Sequence, residues 1–113
     1  MSKRNAIRKT KKFAARYLDK LIGEAIVDAY TESEQAGGFC VMIDEHLALP
    51  FTTRVLGQTV TVTGVDITNR DQIIAKCALG KVTQSIPILD LPLPNPPPKG
   101  EEWIEAYRRW CGD

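Results

Sequence analysis

Residues 51–65 read FTTRVLGQTVTVTGV, and this stretch carries the clearest strand pattern in the sequence. In residues 59–63 threonine alternates with valine, which is the two-residue period of a strand that buries one face. The pair Gly57-Gln58 lies between the run 52–56 and the run 59–65 and is a short turn signal. The stretch therefore predicts a β-hairpin.

After this hairpin the sequence shows further strand patterns, followed by a proline-rich segment. Residues 73–78 and 82–86 flank Leu79-Gly80-Lys81 and predict a second hairpin. Four or five short strands within about 40 residues predict a small antiparallel SH3-like barrel or curved sheet. Residues 91–98 read LPLPNPPP, which excludes a helix or a central strand and predicts a polyproline II segment.

Helical spacing appears on both sides of the strand region. Apolar residues recur at three- and four-residue steps over residues 5–29, which predicts a helix. Thr31 and Glu34 have the spacing of a capping box, so a second helix is expected from Glu32 to about residue 47. Residues 101–110 predict a final helix with acids at its start, bases at its end and an aromatic face.

These elements predict one α+β domain over residues 1–113, with two N-terminal helices and a C-terminal helix packed on the small barrel or curved sheet. A chain of 113 residues is long enough to bury one core. The expected parts are a basic arm (1–20), an acidic helical region (21–50), the small β-barrel (51–90), a polyproline segment (91–99) and the C-terminal helix (100–113).

Composition excludes several classes of protein. No apolar run approaches the ~20 residues of a membrane span, so no membrane partner is expected. The three cysteines are odd in number and far apart, which argues against a disulfide framework or a zinc motif and predicts a cytoplasmic protein. His46 is the only histidine, and no Gly-rich phosphate loop is present, so we expect no catalytic residues and no enzyme. The sequence does not determine an oligomeric state.

The formal net charge of +1 conceals a strong segregation of charge. Residues 1–20 hold eight Lys and Arg and one Asp, whereas residues 21–53 hold six acids and no Lys or Arg. Residues 54–113 hold seven of each sign. Such asymmetry indicates binding partners rather than a fold.

The acidic region can supply the carboxylates that calcium requires. Glu24 and Asp28 are one helical turn apart, and Asp44 and Glu45 lie near a helix end, where their charge opposes the dipole. No DxDxDG loop is present, so the pattern is not that of an EF-hand. A solvated acidic face accounts for the same composition, and the residues alone leave both interpretations open.

Several runs together resemble a known family. The runs EAIVDAY (24–30), Gly38-Phe39, Asp44-Glu45 and Leu49-Pro50-Phe51 are similar to the small bacterial calcium-binding protein family first described in cyanobacteria. The later runs VTVTG (60–64), Ile86-Pro87-Ile88 and WIEAYRRW (103–110) resemble it as well, so the resemblance covers about residues 20–110. It implies a compact α/β protein that binds calcium through carboxylates without an EF-hand.

The resemblance also implies a set of metal ligands. The matched acids are Glu24, Asp28, Glu32, Glu34, Asp44, Glu45 and Glu105. This chain is less acidic than the calcium-binding members, and Ala106 stands where they commonly have an acid. Because the number of charged ligands tunes calcium affinity, weak calcium binding is expected.

The basic arm and the proline-rich segment support other functions. The basic arm could bind a nucleic acid or an acidic protein through Arg8, Lys9, Lys11, Lys12 and Arg16. In this alternative the protein has lost the metal site of the family. Residues 94–99 fit the PxxPxK ligand of aromatic-grooved domains, although a stiff linker that docks the last helix explains them more simply. An interaction module is therefore the alternative to a calcium-binding protein.

Overall fold

The computed structural model describes residues 13–112, which form three α-helices and one four-stranded antiparallel sheet. The predicted α+β class, with two helices before the sheet and one after it, is confirmed. In chain order the elements are α1 (Ala15–Ala25), α2 (Glu32–His46), β1 (Phe51–Val55), β2 (Gln58–Ile67), β3 (Ile73–Leu79), β4 (Val82–Pro87), a 3₁₀ turn (Ile88–Asp90) and α3 (Glu101–Cys111).

The core lies between the helices and one face of the sheet. Val62 of β2 and Ala75 of β3 are completely buried, and they share one cluster with Phe39 and Ile43 of α2 and Ile104 of α3. Full burial of a side chain the size of Phe or Ile contributes about 1.5–3 kcal/mol to the free energy of unfolding. The alternation of valine with threonine in β2 thus directs valine to the helices.

The SH3-like barrel is not confirmed, because the sheet is not closed. The strands lie in the order β1-β2-β3-β4, so β1 and β4 occupy opposite edges. The helices cover the face that a closed barrel would fill with its own side chains. The hydroxyl of Thr53 in the edge strand β1 donates to the carbonyl oxygen of Pro92 at 2.6 Å, so the proline-rich segment contacts this edge strand without pairing to it as a fifth strand.

The first helix is shorter than the predicted span of residues 5–29. It ends at Ala25, and residues 5–12 lie outside the described part of the chain. The chain then reverses through Asp28, whose φ of 63° is left-handed, a conformation that Asp tolerates better than most residues. This reversal brings α2 against α1 at Gly38, where a Cβ would collide with the carbonyl oxygen of Ala25. α1 therefore ends where it meets α2, although the helical spacing of apolar residues continues along the sequence beyond Ala25.

The second helix begins with the predicted capping box. The side chain of Thr31 accepts from the N–H of Glu34 at 3.1 Å, and the carboxylate of Glu34 accepts from the N–H of Thr31 at 3.2 Å. This reciprocal pair satisfies N–H groups that the first turn of a helix leaves without partners. The prediction that a helix begins at Glu32 is confirmed.

The third helix packs its aromatic face as expected. Trp103 and Tyr107 are buried, and the rings of Tyr107 and Trp110 lie 5.5 and 5.2 Å from that of Phe39. The exposed ring of His46 stacks on Trp103 with 5.0 Å between their centroids. Among residues 13–112, no helix is long and apolar enough to cross a membrane.

Candidate metal site

The seven acids of the predicted ligand set lie in three places. Four lie around the α1–α2 turn, two lie in the last turn of α2, and one lies on α3. The groups are Glu24, Asp28, Glu32 and Glu34; Asp44 and Glu45; and Glu105.

The two ends of α2 cannot hold the same ion. Glu34 and Asp44 are ten residues apart on one helix, which at 1.5 Å per residue separates their backbones by about 15 Å. A calcium ion holds its oxygen ligands at about 2.3–2.6 Å, so carboxylates that share an ion lie within a few ångströms of each other. The fold therefore divides the predicted set into separate candidate sites.

Two of the seven carboxylates already have partners. Glu34 accepts from the N–H groups of Tyr30 at 2.7 Å and Thr31 at 3.2 Å, so its charge stabilises the start of α2. Glu105 forms an ion pair with Arg108 one turn along α3, with 3.4 Å between Oε1 and Nε. Both carboxylates hold the local structure, and calcium binding would compete with these contacts.

The other five carboxylates are exposed and form no ion pair with any base among residues 13–112. They are Glu24, Asp28, Glu32, Asp44 and Glu45. The described ion pairs instead join Lys76 to Asp66, Arg108 to Glu105 and Arg109 to Asp19. The bases of the described chain therefore leave the charge of the acidic helical region uncompensated.

The structure adds Asp71, an acid that the sequence analysis did not select. Asp71 lies in the turn between β2 and β3, with a φ of 63°, and its Oδ1 accepts from the hydroxyl of Ser33 at 2.9 Å. The two residues are 38 positions apart, so no local spacing could reveal the contact. The polar run DITNRD over residues 66–71 predicts a turn, but it does not indicate which residue the turn contacts.

Glu32 and Asp71 line the same surface cleft, which also contains Gln35 and has a volume of about 420 Å³. Carboxylate and amide oxygens are ligands that calcium accepts. Arg70 also lines the cleft and reduces its negative potential. Ser33, hydrogen-bonded to Asp71, places a hydroxyl beside the pair.

No three Asp, Glu, His or Cys side chains of residues 13–112 are grouped closely enough to hold a metal ion. The cleft supplies two carboxylates, and the last turn of α2 supplies Asp44 and Glu45. Binding at either place would need the side chains to converge on the ion, with water completing the shell of six to eight oxygens. The predicted ligand set stays a prediction.

The alternative site on the basic arm falls mostly outside the described residues. Arg8, Lys9, Lys11 and Lys12 belong to that part of the chain, whereas Arg16 lies exposed on α1. Arg16 alone defines no surface for a nucleic acid or an acidic protein.

Comparison with known proteins places this chain in a class of calcium-binding proteins. A family model described as calcium binding, the CcbP family, matches residues 19–111, so the chain belongs to this family. The resemblance that the sequence motifs indicated is thereby confirmed. No curated protein sequence matches the chain.

Two solved structures are similar to this fold. One is a calcium-binding protein in its calcium-binding form, with 20% sequence identity, a TM-score of 0.68, and coverage of 90% of this chain and 93% of that chain. The other is the crystal structure of CcbP from Anabaena, with 19% identity, a TM-score of 0.66, and coverage of 88% and 92%. At these identities the likeness concerns the fold.

Proposed function

We propose that this protein is a non-enzymatic calcium-binding protein that binds the ion weakly through the acidic helical region. The observation that carries the proposal is the set of five exposed carboxylates without an ion-pair partner among the described residues. Membership of the calcium-binding family supports the choice of ion. The solved relative in its calcium-binding form supports the same conclusion.

The favoured position is the cleft between the first turn of α2 and the β2–β3 turn. Glu32 and Asp71 line this cleft together with the amide of Gln35, and the hydroxyl of Ser33 is hydrogen-bonded to Asp71. Asp28 and Glu24, on the preceding turn and on α1, raise the negative potential nearby. An ion held here would connect the helical layer to the sheet, so binding would stabilise the folded state by mass action.

Titration calorimetry with chelator-treated protein tests the function. We expect a saturable heat as calcium reaches the millimolar range, because few charged ligands give low affinity. A parallel thermal melt should show a midpoint that rises with calcium concentration. Absence of both heat and stabilisation at millimolar calcium would contradict the proposal.

Two matched double variants test the position. Glu32→Gln with Asp71→Asn removes two carboxylates from the cleft, and Asp44→Asn with Glu45→Gln removes two from the end of α2. Both variants change the net charge equally, so they lose the same long-range attraction. We expect the cleft variant to weaken calcium binding by about tenfold or more, equal to about 1.4 kcal/mol, and the helix-end variant to weaken it much less. The opposite order would place the ion at the end of α2.

The interaction-module alternative is not favoured by the family comparison. A salt series of nucleic-acid binding tests it, because affinity that depends on phosphate contacts falls steeply as salt increases. Weak binding that does not change with salt would remove this alternative.

A further inference from the structure

Strand β4 lies at an edge of the sheet, and its outer side is open. In the described residues it pairs with β3 alone, and residues 82–85 are all exposed. The other edge differs, because the hydroxyl of Thr53 in β1 bonds to Pro92, and residues 92–95 line a cleft together with β1. Among residues 13–112, the proline-rich segment therefore contacts the β1 edge, whereas no further strand pairs with the outer side of β4.

The register of the second hairpin determines which backbone groups face outward. Leu79 pairs with Val82 around the two-residue loop Gly80-Lys81, so this pair is the hydrogen-bonded pair nearest the turn. Hydrogen-bonded and non-hydrogen-bonded pairs alternate along an antiparallel ladder. Thr83 and Ser85 consequently direct their N–H and C=O groups away from β3.

This edge carries few of the features that prevent strands from pairing between molecules. Residues 82–86 read VTQSI, with no charged residue and no proline, and Pro87 comes only at the end. β4 shows no bulge in its pairing with β3. Natural sheets usually protect long edges with lysine, proline or bulges, so an uncharged and regular edge is open to a further strand.

We infer that β4 pairs antiparallel with β4 of a second copy of this chain, across a two-fold axis. Pairing Thr83 of one copy with Ser85 of the second copy uses every outward N–H group of residues 83–85 and places Gln84 beside the axis. The same register sets Val82, which is 61% exposed, opposite the partly buried Ile86 of the second copy.

Charge complementarity favours a second copy of this chain as the partner of β4. Lys81 precedes β4, and Asp90 follows it in the 3₁₀ turn. In an antiparallel two-fold arrangement, Lys81 of each copy approaches the end of the strand where the other copy carries Asp90. A parallel arrangement would instead bring the two lysines together.

The size of the contact makes the association weak. A six-residue strand with the polar Gln84 near its centre buries much less than the roughly 1,200–2,000 Å² of a stable interface. We therefore expect dimers only at high protein concentration, in equilibrium with monomers.

Sedimentation velocity of the full chain, from dilute solution into the millimolar range, tests the inference. The weight-average mass should rise with concentration toward twice that of one chain. Gln84→Glu and Gln84→Lys each place two like charges opposite each other at the axis, so each variant should remain monomeric. An equal mixture of the two variants pairs Glu with Lys and should recover the concentration-dependent increase in mass.

Matched controls lie on β2, away from β4. Thr59→Glu and Thr59→Lys change the charge equally at an exposed strand position and should associate as the wild-type chain does. Ser85→Pro removes an outward N–H, which an edge strand tolerates, and should give a folded monomer by circular dichroism. A wild-type chain that stays monomeric throughout, or a Glu/Lys mixture that does not associate, would overturn the inference.

Discussion

Tyr107 shows at the level of one residue how packing changes chemistry. Its ring lies in the core against Phe39, and burial, together with the nearby thiols of Cys111 and Cys40, raises the pKa of Tyr107 to about 12. The folded state therefore holds the phenol proton more tightly than the unfolded state, in which the pKa is about 10.

This raised pKa predicts a loss of stability at alkaline pH. The contribution of Tyr107 is fully present below pH ~10 and decreases as the pH rises toward the folded-state pKa of about 12. The free energy of unfolding, measured by denaturant titration, should therefore fall between pH ~10 and about 12 in the wild-type chain. Tyr107→Phe should show a smaller fall over the same range, and equal falls in both proteins would contradict the assignment.

Gly38 sets the distance between α1 and α2 at the level of the elements. A Cβ at this position would collide with the carbonyl oxygen of Ala25, which belongs to the backbone of the other helix and cannot move aside alone. The neighbouring Gly37 has no atom within 4 Å of the corresponding Cβ position. Two adjacent glycines of one helix therefore differ in their structural roles.

We expect alanine substitutions at these two glycines to change the free energy of unfolding in opposite directions. Gly38→Ala should lower the free energy of unfolding by about 1–3 kcal/mol, because α2 must move away from α1. Gly37→Ala should raise it by as much as about 1 kcal/mol, because alanine favours helix more than glycine does. Chemical denaturation of both variants measures the difference, and similar values for the two would show that the helices do not approach closely at Gly38.

The elements also show which boundaries local sequence can determine. The start of α2 follows from the reciprocal hydrogen bonds of Thr31 and Glu34, which need only residues three apart. The end of α1 at Ala25 depends on the crossing with α2, so the apolar spacing extended the predicted helix too far. Strand periodicity likewise located the hairpins, but it is the same in an open sheet and in a closed barrel.

At the level of the whole molecule, the acidic helical region carries charge that the described bases do not neutralise. Asp44 lies in the last turn of α2, where its charge opposes the negative end of the dipole. Asp28 lies in the preceding turn in a left-handed conformation that Asn also adopts readily. Both positions therefore accept Asn without a steric penalty.

Asp28→Asn combined with Asp44→Asn should separate structural from ion-binding carboxylates. In chelator the variant should be as stable as the wild-type chain or more stable by up to about 1 kcal/mol, because like charges are removed. In saturating calcium it should be less stable than the wild-type chain, because it binds the ion less tightly. Thermal melts under both conditions measure this, and an equal loss in both would indicate that the carboxylates support the fold.

Local sequence is enough to predict the features that depend on near neighbours: the hairpins, the capped start of α2, the aromatic face of α3 and the segregation of charge. It also carried the motifs of the calcium-binding family, because these motifs are local runs. The three-dimensional packing was needed to show that the sheet stays open, that α1 ends at Ala25 and that Asp71 accepts a hydrogen bond from Ser33. These outcomes depend on contacts between distant parts of the chain, and no spacing along the sequence encodes the distance between two elements that fold against each other.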